Sequence, residues 1–231
     1  MVTHPSKLTW PLTPFFNKLR EMDTTQITKD SKRWFLISAD FHAFNAEIQS
    51  FFSMIRLIKA RIDKNIEGAI KDPYPFQYVG PINVDFFSYI IFCKIFMDKI
   101  ARLLYKVTSG GSKPSCTRFE DWRKKIGRYE GKEIEKIKIV IKKATWFKDF
   151  KDLRDDYAVH HGWIISHLGR IGDEISIDVN TYQKKNPISI TYTDIEKIHN
   201  NIVSFFEELN WVLCDNFNQI PFEMKLRSCS R

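Results

Sequence analysis

Between residues 34 and 66 apolar side chains recur at steps of three and four without a break: Trp34, Ile37, Phe41, Phe44, Ile48, Phe51, Ile55, Ile58, Ile62 and Ile66. Only an α-helix returns side chains to one face at that interval, so the pattern predicts a single amphipathic helix of about nine turns. A helix of that length must bury its seam against other helices. Trp and Phe at the seam positions suit the irregular interior of a bundle better than a two-stranded zipper. Composition agrees, since 19 Phe stand against 9 Gly and hydrophobic residues make up 43% of the 231, which is a chain rich in core formers and poor in breakers. Disorder, collagen and a disulfide mini-protein are excluded.

The rest of the chain extends this reading. Residues 1–30 form an N-terminal arm in which Thr13-Pro14 starts a short helix over Phe15 to Met22. A Pro- and Tyr-rich loop, Asp72 to Pro81, ends the long helix, and Asn83 or Asp85 caps the next. That second helix carries Phe86, Ile90, Cys93, Met97, Ile100, Leu104 and Val107 on one stripe and is buried on most sides, with Lys94, Asp98 and Arg102 as its polar stripe. A Gly- and Ser-rich stretch at 108–116 reads as a flexible loop. Thr117 and Glu120 form a capping box for a helix through Trp122 and Arg128. One further helix uses Ile134, Ile137, Ile141, Ala144, Phe147, Phe150, Leu153 and Tyr157 as its buried edge and stops at Gly162. Alternation at Ile175, Ile177 and Val179, and at Ile188, Ile190 and Tyr192, predicts a β-hairpin over about 174–192. Thr193 and Glu196 make another capping box, opening a last helix with Ile195, Ile198, Ile202, Phe205, Leu209, Val212 and Leu213 inward. The predicted fold is all-α, an up-and-down bundle of four to five main helices with an appended hairpin, spanning 31–220 and followed by a tail at 221–231.

The net charge of +8 and a pI near 9.2 favour a polyanionic partner. The charge is uneven: Trp122 to Lys143 holds nine basic residues against three acidic ones, so that tract carries most of it. Arg123, Lys124, Lys125, Arg128, Lys138, Lys142 and Lys143 are its candidate phosphate contacts, with Trp122 and Tyr129 as candidate base-stacking rings. No window reaches the roughly 18 apolar residues of a spanning helix, and Met1 to Trp10 lacks the pattern of a secretory leader. Cys93, Cys116, Cys214 and Cys229 form no CxxC pair. These features give the expectation of a cytoplasmic protein without a membrane partner.

Titratable groups converge in one place, Arg154-Asp155-Asp156-Tyr157-Ala158-Val159-His160-His161-Gly162. If the helix persists to Gly162, Arg154 and His161 are nearly eclipsed at seven residues apart, while His160 lies about a third of a turn away. A rival reading is metal binding by Asp155, Asp156, His160 and His161, to which His42 or His167 could add; against it, the carboxylates and imidazoles do not share one helical face at i,i+4 in any consistent set of three. His4 and His199 lie in polar settings and read as exposed; His42 flanks the first seam and reads as a packing neighbour.

The segment Arg154 to His161, near the end of an amphipathic helix in a helical chain, resembles the Arg-x(4–6)-His motif of HEPN domains. Both His160 and His161 satisfy the spacing, and Asp155 stands where the family commonly has Asn. The likeness extends over roughly residues 31 to 217, to which the hairpin is an addition. It implies a metal-independent endoribonuclease with no cofactor. His160 or His161 would take the proton from a ribose 2′-hydroxyl, Arg154 would hold the phosphate, and the product would carry a 2′,3′-cyclic phosphate. It further implies an RNA substrate, a homodimer, a defence or toxin-like role against phage and a neutralising protein partner. Asp98 is a candidate third member that orients the histidine or Arg154; its plainer reading is an ion pair with Lys94 or Arg102. The alternative to catalysis is an inactive HEPN-like domain that binds nucleotide or RNA or serves in assembly.

Overall fold

In the computed structural model, which describes residues 12–25, 27–109, 117–155, 166–171, 174–179, 188–222 and 225–226, the first element is α1, Thr13–Glu21. Pro14 sits in its first turn, where a missing N–H costs nothing, and the Phe15 N–H donates to the Asn210 side chain at 3.1 Å. Ser38 then interrupts the long seam. α2, Trp34–Ile37, precedes it and α3, Ala39–Lys71, follows. The Ser38 hydroxyl donates to the Phe35 carbonyl at 2.8 Å and accepts the Phe41 N–H at 3.2 Å, so it closes one helix and caps the next. The one helix expected over 34–66 is therefore two. Beyond the break, Phe41, Phe44, Ile48, Ile55, Ile58, Ile62 and Ile66 are buried, and Phe52 takes the inward place expected of Phe51.

α4, Phe76–Ser109, begins earlier than expected and contains Pro81. Asp72 makes this possible by accepting the Tyr74 N–H at 2.8 Å and the Gln77 side-chain amide at 2.6 Å, which closes the turn before the proline. Pro81 falls in the second turn of the helix and forfeits a single backbone bond. Asn83 and Asp85 lie inside the helix and cap nothing. Instead Asp85 is buried against Arg61, with its Oδ1 2.9 Å from a guanidinium nitrogen.

α5, Phe119–Ile126, has no cap from Thr117. The Phe119 N–H at its start donates to Asp98 of α4 at 2.9 Å, so a carboxylate distant in sequence does the work assigned to the capping box. A two-residue strand, β1 (Tyr129–Glu130), leads through Gly131, at φ 154°, into α6, Lys132–Lys143. α7, Trp146–Arg154, is a separate helix. The expected single helix over 134–157 fails for a geometric reason visible in its own seam. From Ile141 the apolar residues advance by threes (Ala144, Phe147, Phe150), and each such step drifts about 60° around a helix. A break at Ala144–Thr145 resets the phase and keeps Phe147 and Phe150 buried.

The expected hairpin is part of a three-stranded antiparallel sheet: β2 (Ser166–Ile171), β3 (Glu174–Val179) and β4 (Ile188–Thr191), in that order. Leu168 faces Ile177, which faces Ile190. β2 was missed because Gly169 interrupts its alternation. That glycine leaves room for its cross-strand neighbours, since a Cβ there would lie 2.7 Å from the Ser176 hydroxyl and closer still to the Asp178 carboxylate, and both side chains would have to turn aside. α8, Tyr192–Asp215, follows β4 directly. Its capping box is Thr191 with Asp194, two residues before the expected pair: the Thr191 N–H donates to Asp194 Oδ2 at 3.0 Å and the Asp194 N–H to Thr191 Oγ1 at 3.2 Å. After a 3₁₀ turn, Phe217–Gln219, the expected tail packs. Phe222 is buried with its N–H 3.0 Å from the Val107 carbonyl, and β5 (Lys225–Leu226) pairs antiparallel with β1.

The chain is thus all-α in class with small antiparallel sheets, and its contacts group into two compact units. One comprises Met1–Ser50, Phe96–Ala144 and Ile202–Arg231; its core includes Phe96 on Phe206, ring centroids 4.7 Å apart, and Phe119 edge-on to Phe205. The other comprises Phe51–Ile95 and Thr145–Asn201, with Phe51 near Phe92 and Trp146, Phe147 and Phe150 in mutual contact. By length and composition α4 could cross a membrane, its most apolar 18 residues averaging a hydropathy of 1.4, which corrects the expectation that no window is apolar enough. Mostly buried core helices meet the same criterion, and 39% of this window is buried.

Candidate functional site

Phe147 and Phe150 anchor α7 in the core and leave its C-terminal end partly open, where Arg154 sits with 20% of its side chain exposed. Asp155 follows in helical backbone geometry, its N–H turned to the Lys151 and Asp152 carbonyls. The Arg154 Nε–H donates to Asp155 Oδ1 at 2.8 Å, and Nη2 donates to the same oxygen. Lys151 approaches the other carboxylate oxygen at 3.2 Å. Burial works to raise the Asp155 carboxyl, but its bonds to Arg154 and Lys151 outweigh it and hold the group below the ordinary range. Asp155 therefore stays ionised and fixes one edge of the guanidinium, while no described residue accepts from Nη1. His160, His161, Asp156, Tyr157 and Gly162 lie outside the described residues, as does the geometry between Arg154 and either histidine.

Of the other predicted residues, Asp98 accepts the Phe119 N–H at the start of α5 through Oδ1. The basic tract divides. Lys124 pairs with Glu120 at 3.1 Å and Lys143 with Glu208 at 2.8 Å, both through exposed side chains, while Arg128 and Lys142 are exposed and Arg123 and Lys125 half-buried. Lys138 is buried, donating to the Tyr129 carbonyl and to Glu135, so it presents no charge to a ligand. Trp122 is 3% exposed and cannot stack on a base. Both corrections have one cause: Trp122 and Lys138 stand on the inner faces of α5 and α6, where packing claims them. His42, expected to pack, is exposed.

A second group of titratable residues, absent from the sequence reading, converges from α3, α4 and α8. Lys59 is 6% exposed, so its charge must be met inside the protein. Its Nζ lies 2.6 Å from Asp63 Oδ1, 3.4 Å from Glu196 Oε1 and 3.5 Å from the Tyr192 hydroxyl. Tyr192 donates toward the same two carboxylates, at 2.9 and 3.0 Å, and its ring lies 4.9 Å from the ammonium. Burial first, then Asp63 and Glu196, push the Tyr192 phenol up, which keeps it a donor. Beside this network the Tyr89 hydroxyl meets His199 Nδ1 at 3.1 Å. Burial, reinforced by Lys59, lowers His199 to about 4, so it is a neutral histidine rather than the exposed one expected. Burial also pushes up Cys93, which lies against Tyr89. The i,i+4 spacings Lys59–Asp63 and Tyr192–Glu196 were visible in the sequence, but on a helix such spacing marks surface pairs equally well.

Among the described residues no group of three or more His, Cys, Asp and Glu side chains is arranged to hold a metal ion. No known protein family matches this chain, and no curated protein or solved structure is detectably similar to it.

Proposed function

We propose that the chain is a HEPN-type, metal-independent endoribonuclease acting through Arg154 with His160 or His161. The observation that carries the reading is the arrangement at the end of α7: an arginine clamped along its Nε–Nη2 edge by Asp155, with its Nη1 edge uncommitted among the described residues. A guanidinium held on one side by a carboxylate offers its remaining donors in a fixed plane, which is how arginine binds a phosphate oxygen. His160 or His161 then removes the 2′-hydroxyl proton. The 2′ oxygen attacks the adjacent phosphorus, the bond to the 5′ oxygen breaks, and that oxygen leaves as a hydroxyl after taking a proton. Arg154 stabilises the charge on the phosphorane oxygens, and the net charge of +8 favours approach of a polyanionic strand.

The second reading, a silent RNA- or nucleotide-binding domain, is favoured by the same ion pair, because an arginine already satisfied by Asp155 has less cause to seek a phosphate. Incubating the protein with RNA in EDTA separates them. Cleavage that disappears in Arg154→Ala and in one of His160→Ala or His161→Ala supports the ribonuclease. Cleavage persisting in all three variants refutes the site, and salt-sensitive binding without cleavage supports the silent domain.

A further inference from the structure

In the unit formed by Phe51–Ile95 and Thr145–Asn201, α3 and α4 run antiparallel, with Phe51 near Phe92, Arg61 on Asp85 and Gly68 against Tyr78. The turn between them ends in two aromatic rings turned to solvent. Phe76 is 81% exposed and Tyr74 75%, the highest values of any large apolar side chain among the described residues, and Ile70 beside them on α3 is exposed as well. Apolar surface gathered at one point marks a place that meets something other than water.

This tip is stiff. Pro73 and Pro75 fix their own backbone angles, and the Tyr78 ring lies so close over Gly68 that a Cβ there would stand 2.5 Å from ring carbon Cε1. The rings are thus held outward, and little conformational freedom remains to be lost on binding. The backbone is also closed on itself. Pro73 and Pro75 have no N–H; that of Asp72 goes to the Gly68 carbonyl at 3.0 Å, that of Tyr74 to the Asp72 side chain at 2.8 Å and that of Tyr78 to the Pro75 carbonyl at 3.0 Å. Water would serve a free N–H on any surface turn, whereas hydrocarbon serves none.

Charge is arranged in the same sense. Pro73 to Val84 holds no charged residue. Behind the tip Lys64 and Lys71 stand against Glu67 and Asp72, so the tip has no net charge of its own, while the chain as a whole carries +8. A neutral apolar point on a basic chain is drawn to an anionic surface without having to bury a charge in it.

We propose that this tip inserts into the surface of an anionic lipid bilayer, with Phe76 and Ile70 entering the acyl boundary, Tyr74 keeping its hydroxyl among the headgroups, and Lys64 and Lys71 beside the lipid phosphates. α4 does not span the bilayer, because Tyr89, Ile90 and Cys93 on the same helix are wholly buried in protein. The tip uses none of the residues of the ribonuclease reading and stands or falls separately from it.

Flotation of the full chain with mixed phosphatidylcholine and phosphatidylserine vesicles at about 0.15 M salt tests the proposal. Wild type should float with the vesicles. Phe76→Ser and Tyr74→Ser should each weaken binding by about tenfold, the loss expected for one large apolar side chain left in water. Leu57→Ser removes a side chain just as open to solvent, 56% exposed, but about 21 Å back along α3, and should leave binding unchanged. Absence of flotation, equal loss in Leu57→Ser, or binding that survives the Phe76→Ser, Tyr74→Ser double variant, which would be adsorption by charge alone, overturns the proposal. Equilibrium sedimentation without lipid should give wild type and Phe76→Ser the same mass; a lower mass in the variant would make the tip a contact between copies and overturn the proposal equally.

Discussion

Arg154 and Lys59 are both basic residues held by carboxylates, and they are held in opposite ways. Arg154 keeps a fifth of its side chain exposed and takes its carboxylate from the next residue in the chain. Lys59 is nearly shut away, and its partners on α8 lie 133 and 137 residues further along. A local pair at the end of a helix forms wherever that helix forms and can open to a ligand without disturbing packing. The Lys59 network exists only once α3 and α8 are in register, and once formed it cannot open without leaving charge in a poorly solvated place. The first has the character of a working group, the second of a fastening.

The contrast is open to attack at several points. The largest expected effect lies at Arg154: in the ribonuclease reading Arg154→Ala lowers the cleavage rate by about 10²- to 10³-fold, the usual cost of losing one group that stabilises a developing oxyanion, while its unfolding midpoint in urea stays close to wild type. A matching loss of stability would erase the distinction. At His199 the expectation concerns pH. The folded-state value near 4 lies below the ordinary 6.5, so the unfolded chain takes up the proton first. This contribution to stability is complete above pH 6.5 and is lost as pH falls from there towards 4, by roughly 2 to 3 kcal/mol in all. His199→Gln, followed by denaturant unfolding across that window, should show a flatter profile than wild type.

Lys59→Met should cost about 1 to 2 kcal/mol, less than a fully enclosed pair because Asp63 and Glu196 are 34% and 48% exposed and water can take over part of their solvation. Asp98→Ala should cost about 1 kcal/mol, as for a lost helix cap, with fraying of α5 seen by hydrogen exchange at Phe119. The smallest effects belong to the basic tract. Lys142→Gln should reduce the salt dependence of any RNA binding by about one unit of slope, whereas Lys138→Gln, already buried, should leave that slope unchanged.

Much of the helical order was legible, because periodicity is a local property. The seam from Phe41 to Ile66 is where it was expected, and even the division of α6 from α7 was written in the run of threes after Ile141. Caps were less legible. Thr117 and Glu120 have the spacing of a capping box, yet the Phe119 N–H is met by Asp98, and Thr193 with Glu196 yields to Thr191 with Asp194. Several side chains can serve a free N–H, and which one does depends on what packing brings near. The Arg154–Asp155 pair needs no tertiary contact, because its members are adjacent in the chain. The Tyr89–His199 contact and the Lys59 network were not, since nothing local tells a buried i,i+4 pair from an exposed one.

The sequence by itself determined that this chain is helical, where its longest seams run, and that Arg154 stands just before two histidines. The tertiary structure alone decided the surroundings of each polar group: it enclosed Trp122 and Lys138, half-buried His199 against Tyr89, and set Asp98 at the start of α5. The reason is physical. Apolar periodicity follows from the backbone's own repeat, whereas the fate of a charge depends on how much water remains around it, and that is settled only when distant segments meet.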